Sequence, residues 1–295
     1  MGSLKYSALL LLTAAIWGFA FVAQRSAMDH VGPFTFGGVR FAIGSITLLP
    51  LWFLLRNRNR DPETIASYSL ASIWKSGLLL GTVLFIAVSI QQIGMKYTTA
   101  ANGGFITSLY VILVPLFSIF VGHKVRLNIW IGALVAIAGL YFLSFHESFS
   151  LSWGDSLVLI SAVFWAVHVL LIGHYAPKFP ILLLSIIQFT ATAVLSLLFA
   201  LVYEEIRWTT LLDAHVPILY TGIVSVGVAY TLQVLAQTKV SSSQAAIILS
   251  FEAAFAMLGG WLLLHETHGF KSLFGASLML VGIILSQINW KKSNL

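Results

Sequence analysis

Long apolar segments recur along the whole chain, separated by short polar stretches. Each is close to the roughly 20 residues that a helix needs to cross the hydrocarbon core of a bilayer. The ten segments cover residues 7–27, 33–55, 74–94, 101–121, 128–145, 153–173, 180–202, 214–236, 244–264 and 270–288. The sequence therefore predicts an all-α integral membrane protein with ten transmembrane helices.

The composition requires lipid to cover much of the surface. Of the 295 residues, 59% are hydrophobic and 9% are charged, whereas about 25% of an average soluble domain is charged. A soluble fold of this composition would expose large apolar patches to water. The chain has no cysteine, which excludes disulfides, thiolate chemistry and cysteine-based metal sites.

Basic residues are distributed unevenly between the polar stretches. With the N-terminus in the cytoplasm, four of them fall in outer segments, namely Arg25, Lys96, Arg207 and Lys271, and Arg40 lies within a span. The eleven in inner segments are Lys5, Arg56, Arg58, Arg60, Lys75, Lys124, Arg126, Lys178, Lys239, Lys291 and Lys292. The positive-inside rule then places both termini in the cytoplasm. Since these residues form no continuous basic face, the net charge of +6 does not indicate a nucleic-acid partner.

The chain repeats itself at nearly constant offsets. Residues 161–168 (SAVFWAVH) resemble residues 13–20 (TAAIWGFA) at an offset of 148. Further pairs are Gly81 with Gly222 and Gln92 with Gln233 at 141, and Gly132 with Gly275 and Gly139 with Gly282 at 143. We therefore divide the chain into two five-helix units, residues 1–150 and 151–295. Because five is odd, the second unit must be inverted in the membrane, as is typical of secondary transporters.

Several motifs in both units resemble the EamA family of the drug/metabolite transporter superfamily. They are the residues from Trp17 to Val22, Arg40-Phe41, the segments 104–115 and 132–139, and the stretch from Trp261 to Gly275. The resemblance implies ten helices, a bacterial inner-membrane location and usually export of amino acids or other small metabolites. The family often has a glutamate after the fourth helix. This chain has His123-Lys124 there and keeps the matching Glu266 in the second unit.

Helical spacing places two tryptophans on matching faces. Trp17 shares a face of the first helix with Thr13, Ala20 and Gln24, and Trp165 shares a face of the sixth with Ser161 and His168. Both tryptophans lie near mid-span, so they could line a central cavity from both units. The alternative is the ordinary abundance of tryptophan in membrane helices.

Two charged residues lie within predicted spans. Arg40 could bind a substrate carboxylate, or it could reach a lipid headgroup along its own side chain. Glu252 could load and release a proton or bind a substrate ammonium. The alternative for Glu252 is a protonated carboxyl that hydrogen-bonds a neighbouring helix and takes no part in transport.

Polar side chains on the third, fourth and eighth helices complete the predicted site. Amides and hydroxyls within lipid need partners, which a polar cavity or a neighbouring helix can supply. The predicted substrate-binding residues are Trp17, Arg40, Gln92, Tyr110, Trp165, His168, Tyr230, Gln233 and Glu252. Gln91 is a further amide of the third helix, and Gln188 occupies the position of Arg40 in the second unit.

The favoured function is secondary transport, with a small-molecule substrate and possible proton coupling. We expect no cofactor and no metal. The segment 265–268 (HETH) is one residue short of the zinc-protease motif, and the chain carries no phosphate-binding loop. An intramembrane enzyme built on Ser161 and His168 is an alternative, although two helical turns, about 10 Å, separate these residues. A receptor without transport is the other. The sequence leaves the substrate, the direction of transport and the oligomeric state open.

Overall fold

The structure is a computed structural model that describes residues 2–55, 69–144, 152–265 and 270–288. Every regular element within these ranges is a helix, and they contain no strand. The polar loop at 56–62, Glu266 and the lysines at 291 and 292 lie outside the described residues. The part of the sequence prediction that calls for an all-helical membrane protein is therefore confirmed.

The helices of the first half of the chain are α1 (Gly2–Ala27), α2 (Pro33–Leu55), α3 (Leu70–Met95), α4 (Ala100–Thr107), α5 (Tyr110–Phe120) and α6 (Leu127–Ser144). The second half begins with α7 (Trp153–Tyr175), α8 (Ile181–Tyr203), α9 (Trp208–Asp213) and α10 (His215–Leu219). A π-helix (Tyr220–Tyr230) follows, and then α11 (Thr231–Gln237), α12 (Ser242–Leu249), α13 (Glu252–Leu264) and α14 (Phe270–Gln287).

Eight helical segments are long and apolar enough to cross a membrane. They are Leu4–Ala27, Pro33–Leu55, Leu70–Met95, Ala100–Phe120, Trp153–Tyr175, Ile181–Tyr203, His215–Gln237 and Ser242–Leu264. Two shorter apolar helices, Leu127–Phe142 and Leu273–Gln287, coincide with the other two predicted spans. The chain is thus a multi-pass membrane protein, and the count of ten spans stays a prediction.

Two predicted helices, 101–121 and 244–264, are tightened in the middle. Between α4 and α5 the amide of Val111 donates to the carbonyl of Ser108 at 3.0 Å. Between α12 and α13 the amide of Ala253 donates to the carbonyl of Ser250 at 3.2 Å. Both bonds span three residues instead of four, which is the pattern of a 3₁₀ turn inside a helix. Glu252 therefore begins a helix instead of lying in the middle of one.

We call the end where α1 begins the proximal end and the end where α1 finishes the distal end. Glycines allow the closest approaches: a Cβ added to Gly132 would lie 2.7 Å from the carbonyl oxygen of Gly282. A Cβ added to Gly139 would lie 2.6 Å from that of Gly275. Only glycine fits here, so α6 and α14 pack with their backbones almost in contact.

Two carboxylates join the halves of the chain at the distal end. Glu204, just after α8, accepts hydrogen bonds from the amides of Phe34 and Thr35 at 2.8 and 2.7 Å. It also accepts one from the hydroxyl of Thr35 at 2.7 Å, so it caps the N-terminus of α2. Asp155 of α7 accepts from the hydroxyl of Thr98 at 2.5 Å. These contacts fix the helices that surround the candidate site.

Candidate functional site

A cavity lies at the centre of the bundle, where the two tightened turns meet. It consists of narrow clefts between side chains. Its walls combine two charged residues, polar side chains and a large aromatic surface. The lining residues are Trp17, Phe21, Gln24, Arg40, Gln91, Thr107, Tyr110, Trp165, Val169, Ser225, Tyr230, Gln233 and Glu252.

The tightened turns touch each other through polar groups. The hydroxyl of Ser108 donates to the carbonyl oxygen of Ser250 at 3.0 Å. Two residues further along each chain segment, the hydroxyl of Tyr110 donates to Oε1 of Glu252 at 2.9 Å. Glu252 is 3% exposed and Tyr110 is equally buried. A single carboxyl group is thus held at the cavity wall by a phenol from the other half of the chain.

Arg40 brings a buried positive charge to the same cavity. Its side chain is 4% exposed, and Cζ lies 4.9 Å from the ring centroid of Phe36 and 5.2 Å from that of Phe41. Nε has no hydrogen-bond partner among the described residues. Within the same residues the only ion pairs are those of Arg25 with Asp29 and of Arg207 with Glu205. The Arg40 guanidinium is therefore stabilised by aromatic faces and lacks a carboxylate partner.

The aromatic wall comes from three helices. The ring centroid of Trp17 lies 4.6 Å from that of Tyr230 and 6.4 Å from that of Trp165. Trp165 and Tyr230 stack with centroids 6.2 Å apart. The indole nitrogen of Trp17 donates to the carbonyl oxygen of Ser225 at 3.4 Å, which fixes its ring against the π-helix. The predicted placement of both tryptophans at one cavity agrees with this arrangement.

The amides near the cavity have different roles. Gln91 lines the cavity, and its Nε2 donates to the hydroxyl of Thr107 at 2.8 Å. Gln92, which the sequence analysis places in the site, instead donates to the carbonyl oxygen of Gln24 at 3.1 Å and does not line the cavity. Gln233 lines the cavity, and its Oε1 has no partner among the described residues.

His168 lies behind the cavity wall. It is fully buried, and its ring packs edge-on against Trp165 and Tyr230, with centroids 6.0 and 6.3 Å away. Nε2 lies 3.1 Å from Oε1 of Gln188. The rings of Trp165 and Tyr230 thus separate His168, a predicted site residue, from the cavity in this conformation.

Seven of the nine predicted site residues line the cavity, and Gln92 and His168 do not. The structure adds Phe21 and Val169, which follow Trp17 and Trp165 by one helical turn and could have been found from that spacing. It also adds Thr107 and Ser225, which no periodicity distinguishes from other small polar residues of membrane helices.

The described residues do not bring together the two side chains that the enzyme alternative requires. Ser161 donates to the carbonyl oxygen of Val158 at 2.6 Å, while His168 pairs with Gln188, so the two residues that the enzyme alternative needs have separate partners. No group of three or more metal-ligating side chains occurs in the described ranges. The geometry suits reversible binding of a small molecule that has both polar and apolar parts.

Comparison with known proteins shows which chains resemble this one. The model of the EamA-like transporter family matches residues 4–145 and again residues 152–288. A protein of Archaeoglobus fulgidus named as an uncharacterized transporter is 35% identical over 278 residues, which cover 94% of this chain and 83% of that protein. The uncharacterized transporter YoaV of Bacillus subtilis is 24% identical, with 94% of each chain covered.

A solved structure shares the fold. It has a TM-score of 0.76 and 19% sequence identity, and the match covers 96% of each chain. The relatives are named as transporters and not as enzymes, and these names give no substrate.

Proposed function

The chain belongs to the EamA-like transporter family, and on that premise we propose that it is a secondary transporter that exports a small metabolite such as an amino acid. Binding takes place in the central cavity, and alternating access moves the site between the two sides of the membrane. Residues 1–150 and 151–295 are the two inverted repeats that rock against each other.

Contacts between corresponding residues support the inverted repeat. At the offset of 148, Trp17 corresponds to Trp165 and Phe41 to Phe189, and in both pairs the rings are about 6 Å apart. At 142, the offset between the last residues of α4 and α12, Tyr110 corresponds to Glu252, with which it is hydrogen-bonded. Residues related by a twofold axis contact each other only close to that axis. The cavity therefore lies where a twofold axis between the repeats would pass.

Glycine packing follows the same relationship. A Cβ added to Gly81 would lie 2.6 Å from the carbonyl oxygen of Gln188. One added to Gly222 would lie 3.1 Å from the carbonyl oxygen of Arg40. The two glycines correspond at the offset of 141, and their two neighbours correspond at 148. Equivalent helices thus meet equivalent partners in both halves, as an inverted duplication requires.

The proposed membrane topology has ten spans. The two shorter helices α6 and α14 complete the eight long segments, because each is apolar and they pack closely against each other. The excess of inner lysine and arginine places both termini in the cytoplasm. The proximal end then faces the cytoplasm and the distal end faces outward, in a bacterial inner membrane.

The proposed class of substrate follows from the surroundings of Arg40. A buried guanidinium without a carboxylate partner is unfavourable within a membrane, and a bound carboxylate would satisfy it with paired hydrogen bonds. The aromatic wall of Trp17, Trp165 and Tyr230 would pack against the apolar part of the substrate. Glu252 lies in the same cavity and would face an ammonium group. An amino acid carries all three features.

Glu252 is also the residue through which proton coupling would act. It is the one acidic residue in the cavity lining, and Tyr110 fixes its orientation. A carboxyl group in such a setting can carry one proton per transport cycle, which would link export to the proton gradient.

Counterflow in liposomes tests this function. The purified protein is reconstituted with an unlabelled amino acid inside, and entry of a radiolabelled one is measured across a panel of amino acids. We expect uptake of one class, and at least about a tenfold loss with Arg40→Gln, because a charge-assisted hydrogen bond is worth about 1.5–3 kcal/mol. Arg25→Gln is the matched control, since Arg25 pairs with Asp29 outside the cavity.

The outcomes separate the parts of the proposal. Uptake that survives Arg40→Gln would retain transport and overturn the role of Arg40. No uptake of any amino acid, in a preparation that remains monodisperse, would overturn the proposed substrate class, and the panel would then extend to nucleosides, sugars and vitamins.

A further inference from the structure

A second group of polar side chains is buried beside the cavity, on the two helices Trp153–Tyr175 and Ile181–Tyr203. His168, Gln188 and Ser185 are all fully buried. Apart from the contact between His168 Nε2 and Gln188 Oε1, three of their atoms have no partner among the described residues: His168 Nδ1, Gln188 Nε2 and Ser185 Oγ. A buried polar atom without a partner is unfavourable, because folding removes it from water and does not replace its hydrogen bond. This cluster therefore requires an explanation that packing does not give.

The position of Gln188 mirrors that of Arg40. Arg40 is the eighth residue of α2, counted from the distal end, and Gln188 is the eighth residue of α8, counted from the proximal end. The rings of Phe41, Phe189 and Tyr230 lie beside them, with centroids 5.7–6.0 Å apart. Arg40 lines the cavity, while Gln188 and His168 are fully buried and do not line it.

We propose that His168 and Gln188 form the substrate subsite of the opposite-facing state, where they replace Arg40. The proposal rests on the inverted repeat put forward above. When two inverted repeats exchange conformations, each residue acquires the surroundings that its counterpart had before. Gln188 then lines the cavity as Arg40 does here, and Arg40 is withdrawn into the distal half of the bundle.

The chemistry of this subsite suits the same substrate group. Nε2 of His168 faces the amide oxygen of Gln188, so the imidazole donates there and its Nδ1 is left as an acceptor. Nε2 of Gln188 is left as a donor, and it can donate a hydrogen bond to a carboxylate oxygen. Nε2 of Gln188 would hold the carboxylate by a neutral hydrogen bond, and Nδ1 of His168 would accept a hydrogen bond from an N–H of the substrate, whereas Arg40 holds the carboxylate by charge.

The two states of the carrier therefore differ in affinity. Charge-assisted hydrogen bonds are about twice as strong as neutral ones, so a carboxylate binds more tightly in the state in which Arg40 lines the cavity. The proposal assigns that state to the distal side, because Arg40 lies in the distal part of α2. The half-saturation concentration should be about tenfold or more lower on the distal side. The direction of net flux does not follow from this difference, because the gradients of substrate and proton set it.

Cysteine labelling can test the exchange, because the chain has no cysteine of its own. Single variants Arg40→Cys and Gln188→Cys are reconstituted and treated with a membrane-impermeant cationic methanethiosulfonate from either side. Lys5→Cys and Asp29→Cys, at exposed positions on the proximal and distal ends, report the sidedness. Thr192→Cys is the matched control on α8, since Thr192 is fully buried and its hydroxyl is bonded to the carbonyl oxygens of Gly81 and Gln188.

We expect Gln188→Cys to react only from the side on which Lys5→Cys reacts, and Arg40→Cys only from the side of Asp29→Cys. Thr192→Cys should react from neither side. A Gln188→Cys that is unreactive from both sides, while Arg40→Cys reacts, would overturn the proposal and make the polar cluster a structural element. Reaction of both cysteines from the same side would overturn it as well.

A transport measurement tests the proposed subsite without relying on cysteine labelling. Gln188→Ala should raise the half-saturation concentration for the counterflow substrate about tenfold on the proximal side and leave it unchanged on the distal side. A purely structural role would change both sides alike and would contradict the proposal. Failure of the wild-type protein to catalyse any counterflow would count against the proposed function, whereas one-sided labelling of Gln188→Cys would still support the exchange of states.

Discussion

The hydroxyl of Tyr110 donates a 2.9 Å hydrogen bond to Oε1 of Glu252, and each of these residues is the first of a helix that follows a tightened turn. Their elements come from different halves of the chain. This bond therefore joins the two interrupted helices at the wall of the cavity. It also orients the carboxyl group that we propose as the proton site. Changes to this pair test both the stability of the bundle and its mechanism.

Removing the hydroxyl of Tyr110 should destabilise the protein and allow the coupling energy between Tyr110 and Glu252 to be measured. Tyr110→Phe leaves Oε1 of Glu252 without its donor, so the free energy of unfolding should fall by about 1–2 kcal/mol. A double-mutant cycle with Glu252→Gln, followed by unfolding in detergent, should give a coupling energy of about 0.5 kcal/mol or more. Tyr97→Phe is the control, because Tyr97 is exposed. Strictly additive effects of the two substitutions would show that the bond contributes nothing.

Glu252→Gln should separate proton coupling from substrate binding. If Glu252 carries the proton, an imposed pH gradient should accelerate net transport by the wild-type protein and have no effect on the variant. Counterflow, which needs no net proton movement, should persist at a higher half-saturation concentration, because the amide can still accept a hydrogen bond from the substrate ammonium but carries no charge. The readout is radiolabelled flux with and without the gradient, and Glu205→Gln is the control because Glu205 lies at the surface. Complete loss of counterflow would show that substrate binding itself requires the charge of Glu252, and the two roles could then not be separated in this way.

Helical spacing and polarity predicted most of the cavity, because a polar or aromatic face on a membrane helix has to turn away from lipid. Trp17 and Trp165 follow from this rule, and so does the burial of Arg40 and Glu252. The tightened turns before Tyr110 and Glu252 could not be predicted in the same way. They change the local hydrogen bonds without changing the apolar pattern, so periodicity does not register them.

The position of Gln92 outside the cavity lining has a specific cause. Counting with the offset of 141 pairs Gln233 with Gln92, whereas the last residues of α3 and α11, Met95 and Gln237, differ by 142. The π-helix at Tyr220–Tyr230 accommodates the additional residue. With the offset corrected, Gln233 corresponds to Gln91, and these are the two glutamines of α3 and α11 that line the cavity. A sequence pattern gives no warning of such a wide turn.

His168 shows a second limit of sequence analysis. Helical spacing places His168 on the same face as Trp165, which lines the cavity. Whether the next turn of that face is open or covered depends on the conformational state and on the ring of Tyr230, which the sequence of one helix cannot determine.

Glu204 should contribute to stability at the distal end. Glu204→Ala removes three hydrogen bonds from the N-terminus of α2, so the free energy of unfolding should fall by about 1–2 kcal/mol. The adjacent Glu205 is exposed and pairs only with Arg207, so Glu205→Ala is a matched control with an expected change of at most about 0.5 kcal/mol. Equal midpoints of thermal unfolding for the two variants would contradict the capping role.

The close packing of α6 against α14 predicts a large effect from one added methyl group. A Cβ at position 139 would lie 2.6 Å from the carbonyl oxygen of Gly275 and 2.8 Å from the amide nitrogen of Met279, and neither backbone atom can move without shifting the helix. Gly139→Ala should therefore lower the free energy of unfolding by about 1–3 kcal/mol. At Gly37 the nearest atom to an added Cβ is the hydroxyl oxygen of Ser196, 3.4 Å away. Gly37→Ala should therefore be tolerated, and a comparable loss in both variants would mean that the substitutions act through the helix backbone and not through this interface.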